Sequence, residues 1–271
     1  MEENEKIIYS LTNEPIDVVI PAVEKDFETL ESCIEGIKKN CKNLGRVIVV
    51  SNKKMTNNAE WFDEANYPFD KYQIAFYLNQ FDLEETQDYL NSPNSRVGWY
   101  YQQLLKLYSP FVIPNISSNV LILDSDTVFF RSIDFISSDN KGLYATGTEF
   151  HQPYFNHAQK LLPGIKKLYS NNSGICHHML FQKAILEDLF SKVETLHQLK
   201  FWEAFCLCVN PQDINKSGAS EYEIYFNFAF SQTNQVKIRQ LKWKNSSAIH
   251  LIKQDENIDF DYISYHAYLR N

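Results

Sequence analysis

The chain has no apolar run approaching the ~20 residues that a membrane-spanning helix needs. Its first residues, MEENEKIIYS, are acidic and lack the basic-then-apolar order of a secretion signal. The five cysteines, Cys33, Cys41, Cys176, Cys206 and Cys208, form no CxxC pair, which argues against a disulfide framework and against a cysteine zinc site. Excess basic charge is missing as well: 26 Lys and Arg face 34 Asp and Glu, for a net charge of -8. A nucleic-acid partner, which would call for a basic face, is therefore not expected. A small anionic ligand remains open, since it needs only local positive charge or a metal. Internal repeats, low-complexity tracts and linkers are absent too, so residues 1–271 read as one domain. Reduced, mostly structural cysteines without a targeting segment lead us to expect a cytoplasmic protein.

Aromatic residues are abundant: 16 Tyr, 19 Phe and 4 Trp bring the aromatic content to 14%. Most belong in a core, although aromatic rings also line sites for flat rings and sugar faces. Asp17-Val18-Val19-Ile20-Pro21 is a short apolar run of the buried-strand kind. Asp26 stands where a helix N-cap belongs. Leu30, Cys33, Ile34 and Ile37 then fall on one helical face. Val47 to Val50 predicts a second strand, closed by Ser51-Asn52, and residues 71–77 a third. Tyr101, Leu104, Leu105 and Tyr108 share a face of a helix spanning Val97 to Tyr108, and Val120 to Leu123 is a further apolar strand. This order predicts an α/β fold with helices over a mostly parallel sheet. Ligands in such sheets bind beyond the carboxyl ends of the strands, which directs attention to residues 21–26, 51–53 and 124–127.

Asp124-Ser125-Asp126 directly follows the last of those strands and precedes the apolar Thr127-Val128-Phe129-Phe130. Two carboxylates one residue apart at a strand end can lean toward one site. Oxygen ligands of this kind suit Mg²⁺ or Mn²⁺. A bare D-x-D is common in solvated turns. Here it is wedged between buried segments, where unpaired charge is costly.

LILDSDTVFF resembles the metal-binding strand end of glycosyltransferases with the GT-A fold, and DVVIPAVEKD resembles their first strand and nucleotide-binding loop. RVGWYYQQLLKL, NSGICHHMLF, SEYEIYFNF and YISYHAYLR resemble one poorly characterised bacterial and viral glycosyltransferase-like family of that class, over roughly residues 15–270. The resemblance implies a Rossmann-like central sheet with helices on both faces. It also implies a nucleotide-binding half at about 15–130, an acceptor-side half at about 131–271, and metal-dependent sugar transfer in cell-surface glycan synthesis. The donor would be a nucleotide-sugar, with UDP-sugars favoured. The acceptor would be a glycan or lipid-linked hydroxyl, able to hold the protein at a membrane surface. Pro21, Ala22 and Asp26 would border the base and ribose, together with the strand end at Asn52. Asp124 would contact the ribose, the metal or a metal-bound water, beside Ser125, and Asp126 would ligate the metal. Relatives add a histidine near the carboxyl terminus. Here His266 and His250 offer themselves, with His266 favoured, and the usual HxxGxxKPW form is absent.

Ser220 reads as an N-cap with Glu223 as its capping-box partner, which leaves Glu221 in the first helical turn. There the helix dipole favours an ionised carboxylate able to take a hydroxyl proton. Glu221 is thus the expected base, with Glu223 and Asp213 as substitutes. His177 and His178 follow a glycine-containing polar stretch. As strand neighbours they point to opposite faces, so one at most should face the site as a donor to sugar or phosphate. A Cys176–His177 nucleophile pair is weaker, because nothing supplies an oxyanion site. Gln102 and Lys106, one helical turn apart, could reach a nucleotide-sugar together, near Trp99. Two other functions stay open. One is a nucleotidyltransferase on sugar phosphates, although Pro21-Ala22-Val23-Glu24-Lys25 lacks the glycine of such loops. The other is a noncatalytic sugar-binding domain, although the acidic pair is intact.

Overall fold

The structure, a computed structural model, describes residues 5–247 and 259–266. Strand β1 (Ile16–Pro21), helix α1 (Phe27–Asn40), β2 (Leu44–Ser51) and β3 (Glu60–Asp63) open the chain. Helices α2 (Lys71–Leu78), α3 (Leu83–Asn91) and α4 (Val97–Val112) lead to β4 (Asn119–Leu123) and β5 (Thr127–Phe129). Next come β6 (Gly142–Tyr144), α5 (Gln152–Leu161), β7 (His178–Gln182), α6 (Lys183–His197), α7 (Phe201–Cys208) and α8 (Glu221–Gln232). The last described elements are β8 (Val236–Ile238), β9 (Trp243–Asn245) and β10 (Tyr262–Ser264).

The central sheet runs β3-β2-β1-β4-β7. Its first four strands are parallel, and β7 runs antiparallel beside β4. This is the α/β, mostly parallel sheet that the sequence predicts. Alternate side chains of a strand face opposite ways, and both faces here are covered. Val18, Ile20, Val49, Leu121 and Leu123 meet Leu30, Ile34 and Ile37 of α1. Val19, Ile48, Val50, Val120 and Ile122 meet the aromatic core built by α2, α4 and α6 to α8. Burial on both faces is why these strands read as unbroken apolar runs.

A second small sheet sets the position of the chain's end. Strand β10 pairs antiparallel with β5 and parallel with β9, and the Tyr265 N–H donates to the Asp126 carbonyl at 2.8 Å. The residue after Tyr265 is thereby delivered to the D-x-D.

Two local readings are corrected. Residues 71–77 form helix α2, not a strand. Asp70 Oδ1 accepts from the Gln73 N–H at 2.7 Å while Gln73 Oε1 accepts from the Asp70 N–H at 2.9 Å, a capping box that commits the segment to helix. The third strand of the sheet is β3, upstream of it. Asp26 does stand immediately before α1, but its carboxylate turns back to the Val23 N–H at 3.0 Å, closing the 3-10 turn Glu24–Asp26, and makes no cap bond to α1.

Helix α1 sits close on β5. A Cβ built on Gly36 would lie 2.9 Å from the Phe129 carbonyl oxygen and 3.0 Å from its nitrogen, both backbone atoms that cannot rotate away. Gly36→Ala should therefore destabilise the protein by about 1–3 kcal/mol. Gly98→Ala, with nothing within 4 Å of its Cβ, should be neutral or stabilising by up to ~1 kcal/mol. Urea unfolding of both variants reads the contrast, and equal stabilities would refute the close packing of α1.

Candidate functional site

Beyond the carboxyl ends of β1, β2 and β4 lies a cleft of about 620 Å³. Of the residues singled out in the sequence, Pro21, Ala22, Asp26, Gln102, Lys106, Asp124, Ser125, Asp126, His177, Glu221 and His266 all line it. They come from segments as far apart as β1 and the end of β10.

Its floor is an ion-pair cluster. Lys106, on α4, is buried, and its ammonium lies 2.6 Å from Asp124 Oδ1 and 2.6 Å from Glu221 Oε1. The Tyr222 hydroxyl donates to the same Asp124 oxygen at 3.1 Å. Burial alone would lower the lysine's pKa, but its two carboxylate partners raise it above the ordinary value. Burial likewise acts to raise Asp124, and the Lys106 charge and the His177 hydrogen bond hold it below the carboxylate range instead. Burial raises Glu221, with Lys106 opposing. Lys106 is thus a fixed cation between two anions.

Asp126 is placed differently. Its Oδ2 stands 3.3 Å from His266 Nδ1, while its Oδ1 is buried without a hydrogen-bond partner. Among the described residues no three His, Cys, Asp or Glu side chains already surround one point as metal ligands. Asp26 closes the β1 side, its carboxyl raised by burial against hydrogen bonds from the Val23 backbone and the Ser125 side chain.

His177 faces the cleft and His178 turns away; His178 opens β7, while His177 lies one residue before it at φ +66°, so a turn and not strand alternation separates them. His177 Nδ1 is 3.5 Å from Asp124 Oδ2, and its Nε2 is 3.3 Å from His266 Nε2. His178 is buried among Phe129, Phe135 and Tyr262, where desolvation lowers its pKa well below the ordinary value.

Besides His178, three expected residues lie outside the cleft's lining. Asn52 is exposed in the turn after β2. Asp213 ends a short 3-10 turn and meets Lys216 at 3.4 Å. Glu223 does not close the expected capping box: Ser220 Oγ accepts from the Glu223 N–H at 3.4 Å, but the Glu223 carboxylate goes to the Gly174 N–H and to Asn227 Nδ2, each at 2.8 Å. It ties the loop before β7 to α8, a tertiary tie that a local pattern cannot reveal. His250 lies outside the described residues. Burial also pushes the Cys176 thiol up to about 12, far from a nucleophile's pKa. All five cysteines are free and buried.

Several lining residues carried no motif. Tyr154 stacks near-parallel with Trp99, centroids 6.4 Å apart, and Trp99 Nε1 donates to the Ala219 carbonyl at 2.9 Å. Arg96 lies over the Trp99 ring and donates to Ser217 Oγ at 2.6 and 2.9 Å. Nothing in the spacing of Tyr154 or Ser217 marks them; only their contacts with Trp99 and Arg96 at the start of α4 do. Tyr222 sits between the two glutamates already singled out.

Removing one partner of a buried ion pair typically costs 3–5 kcal/mol, because the other charge is left uncompensated. Lys106→Met should lose about that much stability, and adding Glu221→Gln should recover part of it. Urea unfolding of both single variants and the double variant measures the coupling. A loss below ~1 kcal/mol in Lys106→Met would show that the cluster is not held by this lysine.

No curated protein matches the sequence at a significant level. Solved structures of similar shape include an active-site mutant of LgtC, at 13% identity, covering 92% of this chain and 86% of that one, with a TM-score of 0.46. Mouse xyloside xylosyltransferase 1 is similar at 10% identity, over 94% of this chain and 98% of that one, with a TM-score of 0.43. The S. cerevisiae mannosyltransferase Ktr4p is similar at 10% identity, over 88% and 74%, with a TM-score of 0.45. The model of DUF6492, a family of unknown function, matches residues 25–260, and the chain belongs to that family.

Proposed function

We propose that the chain is a single-domain, metal-dependent glycosyltransferase of the GT-A type. It moves a sugar from a nucleoside-diphosphate sugar, with UDP-sugars favoured, to a hydroxyl of a glycan or lipid-linked acceptor, in cell-surface glycan synthesis.

The observation that carries this reading is Asp126. A buried carboxylate oxygen without a partner is costly, and its sister oxygen faces an imidazole nitrogen at 3.3 Å. One carboxylate and one imidazole at a strand end, open to a cleft, fit Mn²⁺ or Mg²⁺ that keeps waters and shares a diphosphate. The chemistry the metal supplies when bound is Lewis-acid stabilisation of charge on the leaving diphosphate. Pro21, Ala22 and Asp26 border the base and ribose on this reading, and Gln102 and Ser125 offer polar contacts to the donor. Trp99 and Tyr154 present aromatic surface of the kind that receives a sugar face.

Glu221 is the base on this reading. It lines the cleft at the start of α8. Burial raises its basicity, opposed by the Lys106 ammonium at 2.6 Å, and a raised carboxylate is the better proton acceptor for a hydroxyl. A nucleotidyltransferase fits less well, because the loop after β1 has no glycine to bring its backbone against a triphosphate. Among the described residues no helix is long and apolar enough to cross a membrane. Action on the cytoplasmic side, at the membrane only through the acceptor, is part of the proposal.

The test is Asp126→Asn with UDP binding followed by calorimetry, with and without Mn²⁺, and donor hydrolysis followed by nucleotide release. Metal-dependent affinity should vanish and hydrolysis should fall by roughly 10²-fold or more, with unfolding midpoints near wild type. Unchanged nucleotide affinity and hydrolysis in the wild type after chelation with EDTA would sink the metal mechanism.

A further inference from the structure

His177 is held more firmly than a residue that merely lines a cleft needs to be. Its backbone carbonyl accepts from the Asp124 N–H at 3.0 Å, its Nδ1 faces Asp124 Oδ2 at 3.5 Å, and its ring stands edge-on to Trp243, centroids 5.3 Å apart. Its φ is +66°, in the left-handed region that non-glycine residues rarely enter and that clusters at functional sites. That turn lets His177 face the cleft one residue before β7 begins, while His178 enters the core.

The ring is the middle link of a chain of polar atoms. Asp124 Oδ2 meets His177 Nδ1, His177 Nε2 meets His266 Nε2 at 3.3 Å, and His266 Nδ1 meets Asp126 Oδ2 at 3.3 Å. With a divalent ion between His266 Nδ1 and Asp126 Oδ2, as the preceding section proposes, one assignment of protons satisfies the other two links. His177 donates Nδ1–H to Asp124, so its Nε2 carries a lone pair. His266 donates Nε2–H to that lone pair, so its Nδ1 carries a lone pair as well. That last lone pair and the Asp126 carboxylate oxygen would then hold the ion, and their 3.3 Å separation suits it: two ligand atoms each about 2.1 Å from an ion and at right angles to one another are about 3.0 Å apart.

We infer that His177 is a positioning residue of the metal site. With Asp124 behind it, it fixes the tautomer and ring orientation of His266, so that His266 Nδ1 and Asp126 converge on one divalent ion. Metal-bound histidines typically donate their second ring N–H to such a partner, and losing the partner costs 10–100-fold in affinity. The first aspartate of the D-x-D then serves the metal through two histidines in series, its charge balanced by Lys106. This inference rests on the metal-site reading of the preceding section.

Mn²⁺ binding in the presence of UDP, followed by the EPR signal of free Mn²⁺, tests it. His177→Phe keeps a ring but cannot accept the hydrogen bond, and should weaken Mn²⁺ binding by 10–100-fold. His177→Gln places an amide oxygen within reach of His266 Nε2–H and should recover most of that loss. Equal affinities in wild type and His177→Phe overturn the inference while leaving the metal site standing. A wild type that binds no Mn²⁺ removes the metal-site reading and this inference together. Should His177→Phe fail to fold, the Co²⁺-substituted wild type and His177→Gln decide by proton NMR. An exchangeable, hyperfine-shifted imidazole N–H from His266 should exchange slowly with solvent in both. A further such signal that disappears in His177→Gln would make His177 itself a ligand and overturn the positioning role.

Discussion

The site depends on one buried ammonium. Lys106 reaches from the middle of α4 to the end of β4 and to the first residue of α8, so one cation ties together three elements distant in sequence. Its desolvation is expensive, and the two carboxylates at 2.6 Å offset that cost only because all three groups are held rigidly. The rigidity comes from the surrounding core: Leu104, Leu105 and Leu107 of α4 and Ile224 and Tyr225 of α8 are buried in one cluster. Deep apolar packing thus sets polar geometry. An error in either helix would be felt as a displaced Asp124.

From that fixed Asp124 the order spreads outward. The Asp124 N–H binds the His177 carbonyl at 3.0 Å, which joins the D-x-D turn to the start of β7. The Tyr265 N–H binds the Asp126 carbonyl at 2.8 Å, which joins the same turn to the end of β10. Three separate backbone segments therefore meet at residues 124–126, through main-chain bonds that no side-chain substitution removes. Orientation of the carboxylates is set below by Lys106 and Tyr222 and at the side by the histidines.

What the sequence disclosed follows the range of each interaction. The strands β1, β2 and β4 and the face of α1 were legible because burial of both sheet faces writes itself as local apolar runs. Asp124, Asp126 and Glu221 were legible as polar residues at element ends, and Lys106 by its one-turn spacing from Gln102. Their connection was not, since Lys106 and Glu221 are 115 residues apart. The misread segment, 71–77, is instructive: its apolar and aromatic content resembles a strand, and the deciding signal was the capping box from Asp70, just before it, to Gln73 within it. Glu223 failed in the opposite way. The local capping pattern was present, but the loop N–H at Gly174 takes its carboxylate instead. The Trp99–Tyr154 stack and the His177–His266 contact had no local signature at all, because each joins residues that only the fold brings together.

Charge balance explains why a negatively charged donor would need more than this chain's own cations. The cleft is lined by six carboxylates against four basic side chains. Of the basic groups, Lys106 is consumed by Asp124 and Glu221, while Lys25, Lys71 and Arg96 are exposed, where water and salt screen them. A diphosphate brought to Asp126 would meet net repulsion at short range. On the proposed reading, a divalent ion between Asp126 and His266 would reverse the sign at that point without disturbing the Lys106 cluster below it. In a cleft partly withdrawn from water, the reversal acts through a lower effective dielectric and is correspondingly stronger. An acidic protein can in this way hold an anionic donor, provided that the carboxylate reserved for the metal is kept apart from the one reserved for the lysine. The D-x-D achieves that separation by turning Asp124 down onto Lys106 and leaving Asp126 Oδ1 with no partner.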